Sequence, residues 1–185
     1  MAKDLKTLAP GFLIAVPQLG DPNFHRSVIL MVDHTDSGSM GLVINRPAPL
    51  TLGDLAKGQS MAIAEPRKGD AVFLGGPVET HRGFVLHDYA NLDEKHEVVK
   101  GLYLSVTLDA LLPLLQNAVC RLRFYLGYSG WGPKQLEREI SAGAWLFTEA
   151  RALPTLEGNP EELWDLTLRE MGVDPAMLVP GGGVQ

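Results

Sequence analysis

The stretch RLRFYLGYSGWGPKQLEREI, residues 121–140, decides how the rest of the chain is read. Leu122, Phe124 and Leu126 alternate with Arg121, Arg123 and Tyr125, the period-two pattern of a strand over 121–126. Residues 127–132 then gather three glycines, a serine and a tryptophan, which predicts a tight turn. Pro133 suits the first position of a helix, where its missing N–H costs nothing, and residues 135–140 continue with good helix formers. A strand, a glycine-rich turn and a helix N-terminus in that order form a common setting for binding or catalysis.

Upstream, residues 12–16 and the nearly all-apolar SVILMV at 27–32 read as strands, the second covered on both faces. The polar DHTDSGSM at 33–40 predicts a hairpin connection with a positive φ at Gly38, and GLVIN at 41–45 is its partner strand, ended by Pro47. Thr51 is the expected N-cap of a short helix through Lys57, stopped by Gly58. Residues 71–74 form an apolar strand halted by Gly75-Gly76-Pro77, and 83–86 form another. The polar stretch 89–98 reads as an exposed loop, and 102–106 as a strand leading to Thr107, an N-cap. Leu108, Leu111, Leu112 and Leu115 mark one buried helix face, which Pro113 is expected to kink or to start later.

Downstream, 145–147 is a brief strand and 151–158 a loop. Asn159, Pro160 and Glu162 have the pattern of a helix start, with Gly172 as its stop and one further turn over 174–178. The tail at 179–185 has nothing to bury and is expected to be disordered. Strands interleaved with helices predict one α/β (mixed α+β) domain over residues 1–178, a layered sandwich of a mixed sheet with flanking helices.

Composition narrows the function classes. The 185 residues suffice for one sizeable core, and 45% are hydrophobic. No run approaches the roughly 18 apolar residues of a membrane span, and the N-terminus has no secretory pattern. A single cysteine, Cys120, rules out an internal disulfide and fits a reducing compartment, so a cytoplasmic location is expected. The net charge of −6 and the scattered basic residues argue against direct nucleic-acid binding.

Gly127-Tyr128-Ser129-Gly130-Trp131 approaches the nucleophile elbow G-x-S-x-G, but Trp131 fills the second glycine position and no histidine follows His96. The same turn suits an anion, held by free N–H groups at a helix N-terminus, or simply seats Trp131 in the core. GDLAKGQS at 53–60 lacks the lysine of a phosphate loop, and 33–44 lacks the final glutamate of a calcium loop. His25, His34, His81, His87 and His96 have no metal-helix spacing, and one cysteine makes a closed zinc site unexpected. Asp21, Asp33, Asp36, Glu79 and Asp88 form a two-metal cluster only if the fold gathers them. Cys120 is a candidate reactive thiol because Arg121 and Arg123 are near in sequence, but a buried thiol at a helix-to-strand junction is the better expectation.

Taken in order, several segments resemble the AlgH/YqgE family of bacterial proteins. They are Gly11-Phe12-Leu13-Ile14-Ala15 with Pro17, Phe24 and Ser27-Val28, then Gly41-Leu42-Val43-Ile44-Asn45-Arg46-Pro47 and Gly75-Gly76-Pro77-Val78. Arg82-Gly83-Phe84-Val85-Leu86-His87 follows, then GYSGW with Gln135-Leu136-Glu137, Trp145, and Glu162 to Leu178 with Trp164. Lys134 stands where the family has glycine. The resemblance covers nearly the whole chain. It implies a single α/β domain in the bacterial cytosol, an activity that is not established, and a role in transcriptional regulation.

The functional expectation is a non-enzymatic protein that binds a small anionic ligand or a protein partner. Its surface is expected from Gly75, Gly76, Pro77, Arg82, His87, Gly127, Ser129, Gly130 and Trp131, with Asn45 and Arg46 at an edge. No catalytic residue, metal or cofactor is implied. The alternative is a metal-dependent hydrolase or nuclease that uses clustered acidic residues.

Overall fold

A computed structural model describes residues 7–178; the tail at 179–185 lies outside them. The strands are β1 (Gly11–Ala15), β2 (Val28–Thr35), β3 (Gly38–Val43), β4 (Pro47–Thr51), β5 (Ala71–Leu74), β6 (Val78–His87), β7 (His96–Val99), β8 (Leu102–Ser105), β9 (Leu122–Trp131) and β10 (Trp145–Thr148). The helices are α1 (Leu52–Gln59), α2 (Leu108–Gln116), α3 (Gln135–Ser141), α4 (Ala152–Glu157), α5 (Leu163–Glu170) and α6 (Pro175–Leu178). The strands join in one mixed sheet of order β10-β1-β2-β3-β9-β6-β8-β7, with the β4–β5 pair attached to β9.

The largest departure from expectation lies in the second half of β9. Residues 127–131 are not a turn: β9 runs through them to Trp131. Gly127 bends the strand with φ +71, and beyond it Ser129, Gly130 and Trp131 pair antiparallel with Gly41, Met40 and Ser39 of β3. Strand neighbours satisfy the backbone here, so the glycines serve the sheet. The turn falls later, at 132–134, and α3 starts at Gln135 after Lys134, whose φ of +59 explains why glycine suits that position.

Smaller differences share one cause, which is that pairing and packing extend or create elements that local signals leave short. The β2–β3 connection shrinks to Asp36 and Ser37, with Gly38 at positive φ as expected. Strand β7 occupies the end of the expected 89–98 loop, and α4 replaces the expected 151–158 loop. Helix α1 runs on to Gln59 and closes at a left-handed Ser60, while Thr51 caps it in a capping box. Helix α2 starts after Thr107 and continues through Pro113. Asn159 and Pro160 form a turn before α5, which begins after Glu162.

Both faces of the sheet are covered, as the unbroken apolar run of β2 requires. On one face Phe12, Ile14, Leu30, Phe84 and Tyr125 pack under Leu163, Trp164 and Leu168 of α5. On the other, Leu13, Ile29, Val43 and Trp131 pack with Leu136 of α3. There too Val72, Val85 and Phe124 pack with Leu52 of α1 and Leu111 and Leu114 of α2. Each fully buried side chain of this size contributes about 1.5–3 kcal/mol.

The β5–β6 connection carries a sharper constraint. Phe124, Tyr125 and Leu126 of β9 pair with β5 in parallel on one edge and with β6 antiparallel on the other. Residues 75–77 must therefore cross over β9. They do so at Gly127, in backbone-to-backbone contact. A Cβ on Gly75 would lie 2.3 Å from the Gly127 carbonyl oxygen, and one on Gly76, whose φ is +154, would lie 2.2 Å from the Tyr128 carbonyl. A Cβ on Gly127 would meet the Gly76 oxygen at 2.5 Å. The neighbours are main chain, which cannot rotate away.

Gly76→Ala is accordingly expected to cost at least about 3 kcal/mol of stability. Urea denaturation checks this through a lower midpoint at unchanged slope; a loss below about 1 kcal/mol would mean that the crossing relaxes freely.

Candidate functional site

The nine residues singled out from sequence do not form one site. Gly75, Gly76 and Gly127 make the crossing, with Pro77 exposed beside it. Ser129 is fully buried, and its Oγ donates to the Gly75 carbonyl at 3.1 Å. Its hydroxyl locks the crossing and faces no solvent. Trp131 is 6% exposed and belongs to an aromatic cluster with Phe24 and Trp145. The Glu139 carboxylate accepts from both indoles, at 3.0 Å from Trp131 and 2.8 Å from Trp145, and from Gln135 at 2.8 Å. Tryptophan at this position thus ties β9 and β10 to α3.

Arg82, Gly130 and Trp131 do share a groove of ≈620 Å³ with Met40, Phe84 and Tyr128. Arg82 is already engaged, by Glu79 at 3.2 Å and by the Phe84 ring at 5.3 Å. His87 lies elsewhere, opposite Leu122 at the start of β9.

The carboxylates considered for metal chemistry are dispersed. Asp21 bonds Asn23, Asp36 pairs with Lys134, Glu79 with Arg82, and Asp88 with Arg121. Among the described residues no three His, Cys, Asp or Glu side chains come together in a group that could hold a metal ion. Cys120 is half-buried at the α2–β9 junction; burial pushes its thiol pKa up despite the Arg67 guanidinium 3.4 Å away, so the weakly nucleophilic thiol form prevails. Sequence order gave no hint of the Ser39 Oγ lying 2.7 Å from His34 Nδ1. Glu137 is 3.9 Å from the other ring nitrogen, outside hydrogen-bond reach. The Lys134–Asp36 pair at 2.8 Å ties the tip of the β2–β3 hairpin to the start of α3.

Positive charge gathers at a different place, a cleft of ≈520 Å³ lined by Pro17, His25, Arg26, Trp164, Asp165, Arg169, Pro175 and Ala176. Its floor is the Trp164 indole, buried to 3% and fixed by donation from Nε1 to the Ala15 carbonyl at 2.8 Å. The Arg26 guanidinium lies over this ring at 4.6 Å and pairs with Asp165 at 2.8 Å. Arg169, one turn further along α5, has no carboxylate partner among the described residues. Gln18, next to Pro17, donates to the Leu178 carbonyl at the end of α6 at 2.7 Å.

The loop that carries His25 and Arg26 is held by the residues just after β3. Asn45 accepts from the Val28 N–H at 2.9 Å and donates to the Arg26 carbonyl at 2.9 Å. Arg46 donates to the carbonyls of Asn23 and of His25, the latter at 2.9 Å. Arg26 sits at φ +51, a costly conformation for a side-chain-bearing residue, which persists because the clamp over-determines it. Asn45 and Arg46 were legible as a motif, but their role was not. Arg26, Trp164 and Arg169 are joined only by folding.

His87 has a different significance. It is fully buried; Nδ1 accepts from the Tyr89 N–H at 3.2 Å, so the opposite nitrogen carries the proton and donates to Ser105 Oγ at 2.9 Å. Ser105 in turn donates to the Glu94 carbonyl at 2.9 Å. Burial lowers the His87 pKa from 6.5 to about 4. The unfolded chain therefore binds the proton first as pH falls. His87 stabilises fully above 6.5, and that contribution drains away between 6.5 and about 4, by up to about 1.4 kcal/mol per pH unit. The stability difference between wild type and His87→Asn is expected to be flat above 6.5 and to shrink through this window. Denaturation curves across pH check it, and a difference that is constant down to pH 4 contradicts it.

With the geometry in place, comparisons with known proteins agree on one family. The AlgH-like family matches residues 12–176. A UPF0301 protein of Myxococcus xanthus is 67% identical over 180 residues, 97% of this chain and 99% of that one. A UPF0301 protein of Ruegeria pomeroyi is 39% identical, over 92% of this chain and 95% of its own. The solution structure of the AlgH protein from Pseudomonas aeruginosa superposes with a TM-score of 0.75 at 33% identity, covering 100% of both chains. A Corynebacterium diphtheriae protein, 20% identical with a TM-score of 0.73 over 98% of this chain and 95% of that one, shares the fold. Similarity over this much of the chain, in both sequence and fold, means that the protein belongs to the AlgH-like family.

Proposed function

We propose that this chain is a non-enzymatic binding protein whose ligand is a small anion, held in the cleft between the 17–26 loop and helices α5 and α6. The observation that carries this reading is Arg169, a guanidinium lining the cleft together with the clamped Arg26 and with no carboxylate partner among the described residues. Arg26 is neutralised by Asp165, so the cleft keeps a net positive charge in a chain of net charge −6. A local field of that sign draws anions that the rest of the surface repels. The fork of donors on the Arg169 guanidinium suits a carboxylate or phosphate group.

The glycine-rich segment is a poorer host. Its serine is buried, its backbone is paired, and the N–H of Gly132 is satisfied by Gln135 at 3.0 Å. On this reading the transcriptional role that the family resemblance implies is indirect, exercised through contacts of the ligand-loaded protein.

Binding to the folded state alone raises stability by about 2.7 kcal/mol at a hundredfold excess over Kd. For a chain of this size that corresponds to a melting-temperature rise of roughly 5–10 °C. Phosphate, pyrophosphate and di- and tricarboxylates, screened at constant ionic strength, are expected to include at least one that gives such a rise. Arg169→Ala, on an exposed position, is expected to leave the unliganded melting temperature within about 2 °C and to remove the shift. A screen with no shift overturns the anion reading, and an undiminished shift in Arg169→Ala overturns the site.

A further inference from the structure

We propose that the anion taken by this cleft carries a flat aromatic ring, the class to which nucleoside monophosphates belong, with the ring stacked on the open face of Arg26. This rests on the anion reading and specifies its ligand. A bare inorganic anion needs only the charge of Arg169, whereas the cleft has ≈520 Å³ and apolar walls from Pro17, Pro175 and Ala176. That volume is in the range of small-molecule sites, about 300–1,000 Å³.

A guanidinium is a planar cation with two faces, each able to stack on an aromatic ring. One face of Arg26 lies over Trp164 at 4.6 Å. The side chain nevertheless stays 53% exposed, which leaves the second face to the cleft.

The plane is also held in place. The Asp165 carboxylate fixes the head group at 2.8 Å, Asn45 fixes the carbonyl at 2.9 Å, and the indole below is anchored to Ala15. A ring entering the cleft meets a platform that needs no reordering, and the cost of binding falls accordingly. The ring then lies between Arg26 and the proline wall, and its anionic group lies within the field of Arg169, with His25 on the rim.

Isothermal titration of the purified full chain with adenosine 5′-monophosphate, ribose 5-phosphate and inorganic phosphate separates the two levels of the reading. Stacking is expected to make the nucleotide bind at least ~10-fold tighter than ribose 5-phosphate. Arg26→Lys keeps the charge and removes the plane, so it is expected to abolish the nucleotide's advantage over ribose 5-phosphate measured in the same variant. Equal affinities for the nucleotide and ribose 5-phosphate in the wild-type chain overturn the stacked ring and leave the anion reading standing. Absence of binding by all three, with no shift from any anion in the wider screen, overturns the anion reading itself. The wild-type comparison does not depend on the folding of any variant.

Discussion

The crossing of residues 75–77 over β9 is the contact on which the rest of the architecture depends. Strand β9 is the common member of the sheet, flanked by β5 and β6 in its first half and by β3 in its second. One chain segment has to pass from one edge of β9 to the other, and it passes at the bend where β9 changes partners. Three glycines let the two main chains touch, and the Ser129 hydroxyl and the Val43 N–H, which donates to the Gly75 carbonyl at 2.8 Å, fasten the junction. The crossing thereby couples three strands that are far apart in sequence.

That constraint gives the glycine motifs a structural meaning. Glycine clusters near a serine invite a catalytic or phosphate-binding interpretation, because exposed N–H groups are what such sites use. Here the N–H groups are spent on the sheet. The neighbouring Trp131, Gln135 and Trp145 are drawn together by Glu139, whose carboxylate satisfies two buried indoles at once. A family pattern spread over β9, α3 and β10 thus specifies how one helix is seated on the sheet. The Asn45-Arg46 pair has a comparable task on the loop that lays Arg26 over Trp164, where it holds a backbone conformation that the loop would not keep by itself.

Much of the secondary structure was legible because its determinants are local. Thr51 and Thr107 cap helices through hydrogen bonds to N–H groups three residues away. The apolar run of β2 announces a strand buried on both sides, and Gly38 marks its hairpin. Errors arose where a local signal had two outcomes. Glycines at 127–132 fit a turn as well as a strand crossed by another chain, and only the partner at 75–77 decides between them. Residues 152–157 form α4 where a loop was expected, with Pro154 in the first turn of the helix; Thr155 and Leu156 are buried there by packing that the local sequence does not announce.

By itself, then, the sequence determined the fold class, the family, the caps and most strand cores, since periodicity, capping chemistry and ordered motifs act over a few residues. The tertiary structure alone decided what the organising stretch is for, because the crossing at Gly127 and the burial of Ser129 depend on a segment some fifty positions earlier. It also decided where charge collects. Arg26 stacks on Trp164 and shares a cleft with Arg169 only after the sheet has placed the β1–β2 loop against α5. Desolvation, stacking and cation placement are properties of that proximity in space, and no spacing along the chain encodes them.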